Sequence, residues 1–270
     1  MIKICFVGAG STIFAKNVLG DCILTPELGE FEISLYDIDK ERLEDSRLML
    51  VNINKKYKGK ATIKATLNRR KALKDANFVV NAIQVGGYEP CTVTDFEVPK
   101  KYKLRQTIAD TLGIGGIFRA LRTIPVLEDI CKDMKDVCPK ALLINYANPM
   151  AMLTGYLQRY LWPNTVGLCH SVQCCVKGLF ESLKMNDLID HCKWEIAGIN
   201  HQAWLLKITD MNDNDLYPEI KKRSLSGEYY ETMKWDLVRH DMMHRFGYYI
   251  TESSEHTSEY TPWYIKDRYP

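Results

Sequence analysis

An open, doubly wound α/β fold with a mostly parallel sheet is predicted by three observations. Short apolar runs alternate with helix-period segments over the first two-thirds of the chain. The first apolar run ends in Gly8-Ala9-Gly10-Ser11 and passes directly into a helix pattern. The second ends in an acid, Asp37.

The elements follow in order. Ile2–Val7 reads as a buried strand, and the helix after it runs to about Leu24, ahead of Pro26. Glu32–Tyr36 is the second strand, and Asp39 is placed to cap the next helix, with Leu43, Leu48 and Leu50 on its apolar positions. Thr62–Ala65, Phe78–Ile83, Ala141–Ile144 and Thr165–Leu168 are further strands. Ala120, Leu121, Ile124, Leu127 and Ile130 trace one helical face. Beyond Leu168 the rhythm breaks, and Ile196–Ile199 is expected to pair with Leu205–Ile208. A boundary near residue 165 divides a nucleotide-binding domain, 1–165, from a substrate and metal domain, 166–270.

Composition excludes several classes. At about 150 residues per domain, 270 residues correspond to about 1.8 domains, with core enough to fold without disulfides. A net charge of +2 leaves no basic footprint for nucleic acid, and no apolar run is long enough for a membrane span. The nine cysteines show no C-x-x-C spacing, so most are expected to be small buried hydrophobes in a reducing, cytoplasmic setting.

Gly8 permits the tight turn and Gly10 lets backbone approach a pyrophosphate at a helix N-terminus, where Ser11 adds a hydroxyl. Ile13 stands where the third glycine of the usual fingerprint would be. Asp37, 27 residues after Gly10, can accept from both ribose hydroxyls, which favours NAD over NADP. Gly86 and Gly87 follow a strand where the chain would pass near the nicotinamide.

Three clusters follow apolar runs: Asn145-Tyr146-Ala147-Asn148-Pro149-Met150, Cys169-His170-Ser171 and Gly198-Ile199-Asn200-His201. Singly, each has a plainer reading as a packing cysteine, a hydrogen-bonded histidine or a turn-forming asparagine. Together they are expected at the carboxyl edge of the sheet, where such folds bind ligands. A thiolate and a neutral imidazole suit a divalent transition metal with positions open to substrate.

At these residues the sequence resembles glycoside hydrolase family 4, the NAD- and manganese-dependent glycosidases, and within it the alpha-galactosidase branch. The resemblance is carried by Phe6–Ser11, Asn81–Gly87, Asp110–Gly116, Ala120–Pro125, Asn145–Met150, Cys169–Ser171, Gly198–His201 and Glu252-Ser253-Ser254-Glu255-His256. It implies a Rossmann-like sheet followed by part of a lactate/malate dehydrogenase-like α+β domain, shortened relative to the family. It further implies NAD+ taking a hydride from sugar C3, a base removing the C2 proton, elimination of the aglycone, water addition and return of the hydride. On this resemblance Cys169 and His201 hold Mn2+ or another divalent metal, Asn148 touches the sugar, and His170 serves as leaving-group acid or sugar contact. Tyr249 is the first choice for the base, with Tyr248 and Tyr260 as rivals, and Arg245, Glu252 and His256 are sugar contacts. An alpha-galactoside is the expected substrate, with galacturonides and glucuronides next, and the full-length form is expected to be a homo-oligomer. A lactate/malate-type 2-hydroxy acid dehydrogenase, or an inactive fragment that retains NAD binding, are the other readings.

Overall fold

The computed structural model of the chain describes residues 1–265. The elements run β1 (Ile2–Val7), α1 (Thr12–Leu24), β2 (Phe31–Tyr36), α2 (Lys40–Lys56), β3 (Ala61–Thr66), α3 (Arg69–Leu73), β4 (Phe78–Asn81), α4 (Val93–Lys101) and α5 (Gly113–Val137). Then come β5 (Leu142–Asn145), α6 (Met150–Tyr156), β6 (Thr165–Gly167), α7 (Ser171–Ser182), β7 (Cys192–Ile199), β8 (Gln202–Asp210), α8 (Tyr217–Leu225), α9 (Tyr230–Met233), α10 (Leu237–Phe246), β9 (Tyr249–Ile250) and α11 (Ser254–Glu259).

Six strands form one parallel sheet in the order β3-β2-β1-β4-β5-β6, the arrangement of a dinucleotide-binding fold. Its central strand shows why. Successive side chains of a strand point to opposite faces. Ile4 and Phe6 join Leu19, Ile33, Leu35 and Leu50 in a core with α1 and α2. Cys5 and Val7 join Val79, Leu127, Ile130 and Leu143 in a second core with α5 and α6. A strand apolar on both faces belongs inside a parallel sheet. Asp39 caps α2 by accepting from the backbone N–H of Glu41 and Arg42 at 3.0 and 3.1 Å. Two of the expected apolar positions face outward: Leu48 is 46% exposed and Leu121 64%. The buried face of α5 instead runs through Ala120, Leu127, Ile130, Cys131 and Met134.

β4 ends at Asn81, two residues earlier than its apolar run suggests. The Gly8 turn closes against that end. A Cβ on Gly8, whose φ is +91°, would stand 2.7 Å from the Ala82 carbonyl oxygen.

The second sheet is antiparallel, in the order β7-β8-β9, and the expected Ile196–Ile199 pairing with Leu205–Ile208 falls within the β7–β8 hairpin. Leu205 and Ile208 pack with Cys175, Leu179, Phe180, Ile220, Met243 and Tyr249 from the surrounding helices. Contacts divide the chain into two compact units, Met1–Cys91 with Gly116–Leu168, and Thr92–Gly115 with Cys169 onward. The single boundary expected at 165 therefore misses an excursion, because residues 92–115 pack with the second unit.

All nine cysteines are free. Burial pushes the Cys5 and Cys175 thiols up to about 12 and those of Cys131 and Cys138 to about 11, so these four behave as inert packing groups. Among the described residues no helix is long and apolar enough to cross a membrane.

Candidate functional site

In the first unit, a cavity of about 450 Å³ is lined by Gly8, Gly10, Ser11, Asp37, Gly86 and Gly87 together with Tyr36, Ile38 and Arg42. All six residues expected at a cofactor thus share one concavity. The Gly10 N–H is aimed differently from the expectation. It donates to Asp37 Oδ2 at 2.6 Å, while Asp37 Oδ1 accepts from the Asp39 N–H at 2.9 Å. The carboxylate therefore braces the glycine turn as well as facing the cavity. Ser11 makes no capping bond to the helix it precedes. Gly86 and Gly87 have φ of 92° and 67°, values that favour glycine, and a Cβ on Gly86 would meet Cys91 Sγ at 2.4 Å.

At the ends of β4 and β5, Asn81 and Asn145 face each other, fully buried, with Asn81 Nδ2 donating to Asn145 Oδ1 at 2.8 Å. Asn145 Oδ1 also accepts from the Ala147 N–H at 3.2 Å, which shapes the turn carrying Asn148. The Asn148 carbonyl accepts from Arg119 Nε at 3.2 Å, and its side chain from the Met150 N–H at 3.3 Å.

The second unit holds the other cluster. Cys169 Sγ lies 3.3 Å from His201 Nε2, and Glu252 Oε2 lies 3.0 Å from the same nitrogen. The three donor atoms fall within 4.8 Å of one another. His201 is carried not by a strand of the parallel sheet but by the tip of the antiparallel β7–β8 hairpin. Ile199 pairs with Gln202 there, so Asn200 and His201 form a two-residue turn. His201 has φ of 98°, a conformation costly for a residue with a Cβ. Strain of this kind gathers where function needs a side chain in one place. The ring is 3% exposed. Burial lowers its proton affinity, opposed by the carboxylates of Glu252, Asp110 and Glu259. The imidazole is thus a lone-pair donor rather than a cation.

His201 Nδ1 meets the Tyr260 hydroxyl at 2.5 Å. Burial holds the Tyr260 phenol well above its ordinary range, against a hydrogen bond from Thr111 that favours the ionised form. His256 stacks edge-on to His201 at 5.0 Å and lies 3.7 Å from Glu252 and 3.9 Å from Asp110. Its own proton affinity is lowered by burial. His170 is exposed, next to Cys169 at the start of α7.

Three expectations change. Tyr249 is wholly buried, donates its hydroxyl to Asp236 and lies under the Arg239 guanidinium, so no substrate can reach its oxygen. Tyr260, not Tyr249 or Tyr248, is the tyrosine on the cluster. Glu252 faces His201 as a potential ligand rather than standing as an outlying sugar contact. Arg245 pairs with Asp241 at 2.8 Å and lines a different cavity, of about 580 Å³, whose lining includes none of Cys169, His201 and Glu252.

Sequence reading missed Glu259. It is 6% exposed and accepts from the consecutive backbone N–H groups of Thr107, Ile108 and Ala109 at 3.0, 3.1 and 3.0 Å. This clamp fixes the loop that brings Asp110 to His256 and Thr111 to Tyr260. The Asp110–Gly116 string was visible, but a carboxylate binding backbone 150 residues away leaves no local signal.

The chain matches the family 4 glycosyl hydrolase model over residues 3–185 and the family 4 glycosyl hydrolase C-terminal domain over 196–270. An alpha-galactosidase of Bacillus subtilis (strain 168) is 58% identical over the whole chain, which spans 61% of that relative. A 6-phospho-alpha-glucosidase from gut microorganisms, solved in complex with NAD and Mn2+, superposes with a TM-score of 0.79 at 22% identity, over 98% of this chain and 62% of its own. A malate dehydrogenase from Plasmodium falciparum superposes at 0.59 with 16% identity, over 96% of this chain and 74% of its own. Both structural likenesses are of fold. Together the two family matches leave out only residues 1–2 and 186–195, and the chain belongs to family 4 of the glycosyl hydrolases.

Proposed function

We propose that the chain is the cofactor- and metal-binding part of an NAD- and divalent-metal-dependent glycosidase acting on alpha-galactosides. One observation carries this reading: Cys169 and His201 converge on a shared point, and the far nitrogen of the same imidazole meets Tyr260. Identity of 58% to an alpha-galactosidase supports the substrate class. A 6-phosphosugar would call for added cations, and no such group is part of the cluster described above.

The residues present fit both groups. The cavity at Gly8 is lined by the glycine turn at the start of α1 and by Gly86 and Gly87, and Asp37 would meet the ribose there. The second cluster offers a sulfur, a nitrogen and an oxygen, a donor set for a transition metal. When bound, NAD+ supplies a hydride acceptor for sugar C3, and a divalent cation supplies a Lewis acid for the C2 and C3 oxygens. Cys169 and His201 hold the cation, and His201 orients Tyr260 through Nδ1. Tyr260 would act as the phenolate, a form that donation from His201 Nδ1–H favours against burial, and would take the C2 proton to become the neutral phenol. His170 lies beside Cys169 as the group that protonates the departing oxygen or binds the sugar, with Asn148 and His256 as further sugar contacts. Nine free thiols support a reducing, cytoplasmic setting, where Cys169 stays a ligand.

The test is hydrolysis of p-nitrophenyl alpha-galactoside, galacturonide and glucuronide with and without NAD+, Mn2+ and reductant. It is run on this chain and on one extended at its C-terminus to the length of its relatives. Galactoside cleavage that needs all three additions is expected. Equal rates without NAD+ and metal would sink the reading, and net reduction of a keto acid by NADH without glycoside cleavage would replace it with a dehydrogenase.

A further inference from the structure

We propose that Glu252 is a third protein ligand to the divalent cation, so that the chain holds the ion before any sugar arrives. The inference rests on the metal-dependent reading above, and it concerns how the ion is held rather than the reaction.

Distances come first. Ligand bonds of about 2.0–2.4 Å place neighbouring donors on one cation about 3 Å apart and opposite ones about 4.5 Å apart. Here the separations are 3.3 Å for Cys169 Sγ to His201 Nε2 and 3.0 Å for His201 Nε2 to Glu252 Oε2, with all three atoms inside 4.8 Å. His201 Nε2 is thus within 3.3 Å of both other donors.

The carboxylate is built into place. Glu252 Oε1 accepts from the Ser253 N–H at 2.9 Å and lies 3.7 Å from His256 Nδ1, which leaves Oε2 turned to the cluster. The Glu252 side chain is 12% exposed, and among the described residues its ion pairs are to the imidazoles of His201 and His256. With the ring proton of His201 on Nδ1 toward Tyr260, the Nε2 lone pair faces a carboxylate. In that tautomer both atoms offer lone pairs to one cation, whereas in the other, with Nε2–H donating to Oε2, the same 3.0 Å contact is a hydrogen bond that the metal would replace.

Charge and hardness point the same way. A thiolate and a carboxylate neutralise a divalent ion at its own donor atoms, whereas with the thiolate alone the remaining charge would be offset only by Asp110 and Glu259 acting as unligated neighbours. A carboxylate oxygen is also the hard donor that Mn2+ prefers, and it offsets the soft sulfur. Three protein ligands still leave open positions for two sugar oxygens and a water in a six-coordinate ion.

The test measures Mn2+ binding directly, by loss of the free aqua-ion signal in electron paramagnetic resonance. The metal-stripped, reduced 270-residue chain is titrated without sugar. Wild type and Glu255→Gln, an exposed neighbour on α11, are expected to bind one ion alike, Glu252→Gln at least about 10- to 100-fold more weakly, and Glu252→Asp in between. Circular dichroism and NAD+ titration of the other unit check folding. A shift of the carboxylate infrared bands when Mn2+ is added reads ligation in the wild type without any variant. Binding by Glu252→Gln as tight as wild type, an equal loss in Glu255→Gln, or unchanged infrared bands overturns the inference. So does wild-type binding that needs an alpha-galactoside. Failure of the wild type to bind Mn2+ even with sugar present overturns instead the metal-dependent reading.

Discussion

His201 Nδ1 and the Tyr260 hydroxyl stand 2.5 Å apart, so one imidazole ties a metal-type donor set to a phenol. Tyr260→Phe should slow exchange of the sugar C2 proton with solvent deuterium by about 10²- to 10⁴-fold, the range for removing a positioned base. Mn2+ affinity should change far less, since Cys169 and the His201 ring remain. Tyr249→Phe should leave exchange in place and cost about 1–3 kcal/mol of stability, because buried Asp236 loses a donor. Exchange at the wild-type rate in Tyr260→Phe would remove the proton step from this residue.

Cys169→Ser should lose metal binding while NAD+ titrates as in the wild type. The cofactor cavity is lined only by residues of the first unit. Metal content after dialysis and a fluorescence titration with NADH read the two sites separately. Wild-type metal affinity in the variant would refute the thiolate as a ligand.

Gly8→Ala should abolish NAD+ binding and cost stability. The new Cβ would lie 2.7 Å from the Ala82 carbonyl oxygen, in a backbone conformation with φ of +91°. Left-handed strain adds about 1–3 kcal/mol. Gly29→Ala is the control, since its φ of +60° is similar but a Cβ there meets nothing within 4 Å. Equal NAD+ affinity in the two variants would show that the close approach at Gly8 is unimportant.

Stability should fall as pH drops below neutrality. His240 hydrogen-bonds the Ser224 and Ser182 hydroxyls, and burial, then the Arg239 charge, push its pKa down to about 3. The unfolded ring takes up a proton near 6.5, while the folded one stays neutral. Its contribution is therefore complete above about pH 6.5 and is lost as pH falls towards 3, by up to ~1.4 kcal/mol per pH unit. His240→Gln should flatten the decline of Tm between pH 6.5 and 4.5 without abolishing it, because burial also lowers His201, His244 and His256. An unchanged slope would assign the whole decline to those three.

Local pattern made the first unit legible. Strand period, the Gly8 turn, Asp37 and the Asp39 cap are each written within a few residues, and the doubly wound parallel class follows from them. The second unit was less so. Gly198–His201 follows an apolar run, yet that run belongs to a separate antiparallel sheet and ends in a hairpin turn rather than in a crossover to a helix. Tyr248, Tyr249 and Tyr260 look alike in sequence. What separates them is Asp236, thirteen residues before Tyr249, which draws that ring into the core, and Thr111, which waits beside Tyr260. Partners so far apart in the chain carry no periodic signature. Glu252 and Glu259 are equally acidic on paper, and only the fold decides that one faces a metal-type cluster and the other a row of amides.

The excursion of residues 92–115 has a consequence for anyone cutting the gene. Neither unit is a continuous stretch of chain. A clone ending at residue 168 would carry a loop whose three amides had lost Glu259, and a clone beginning at 169 would leave that carboxylate buried without them. A first unit cut out alone would need 92–115 replaced by a linker, and the second unit would need that segment joined back on to keep the Glu259 clamp.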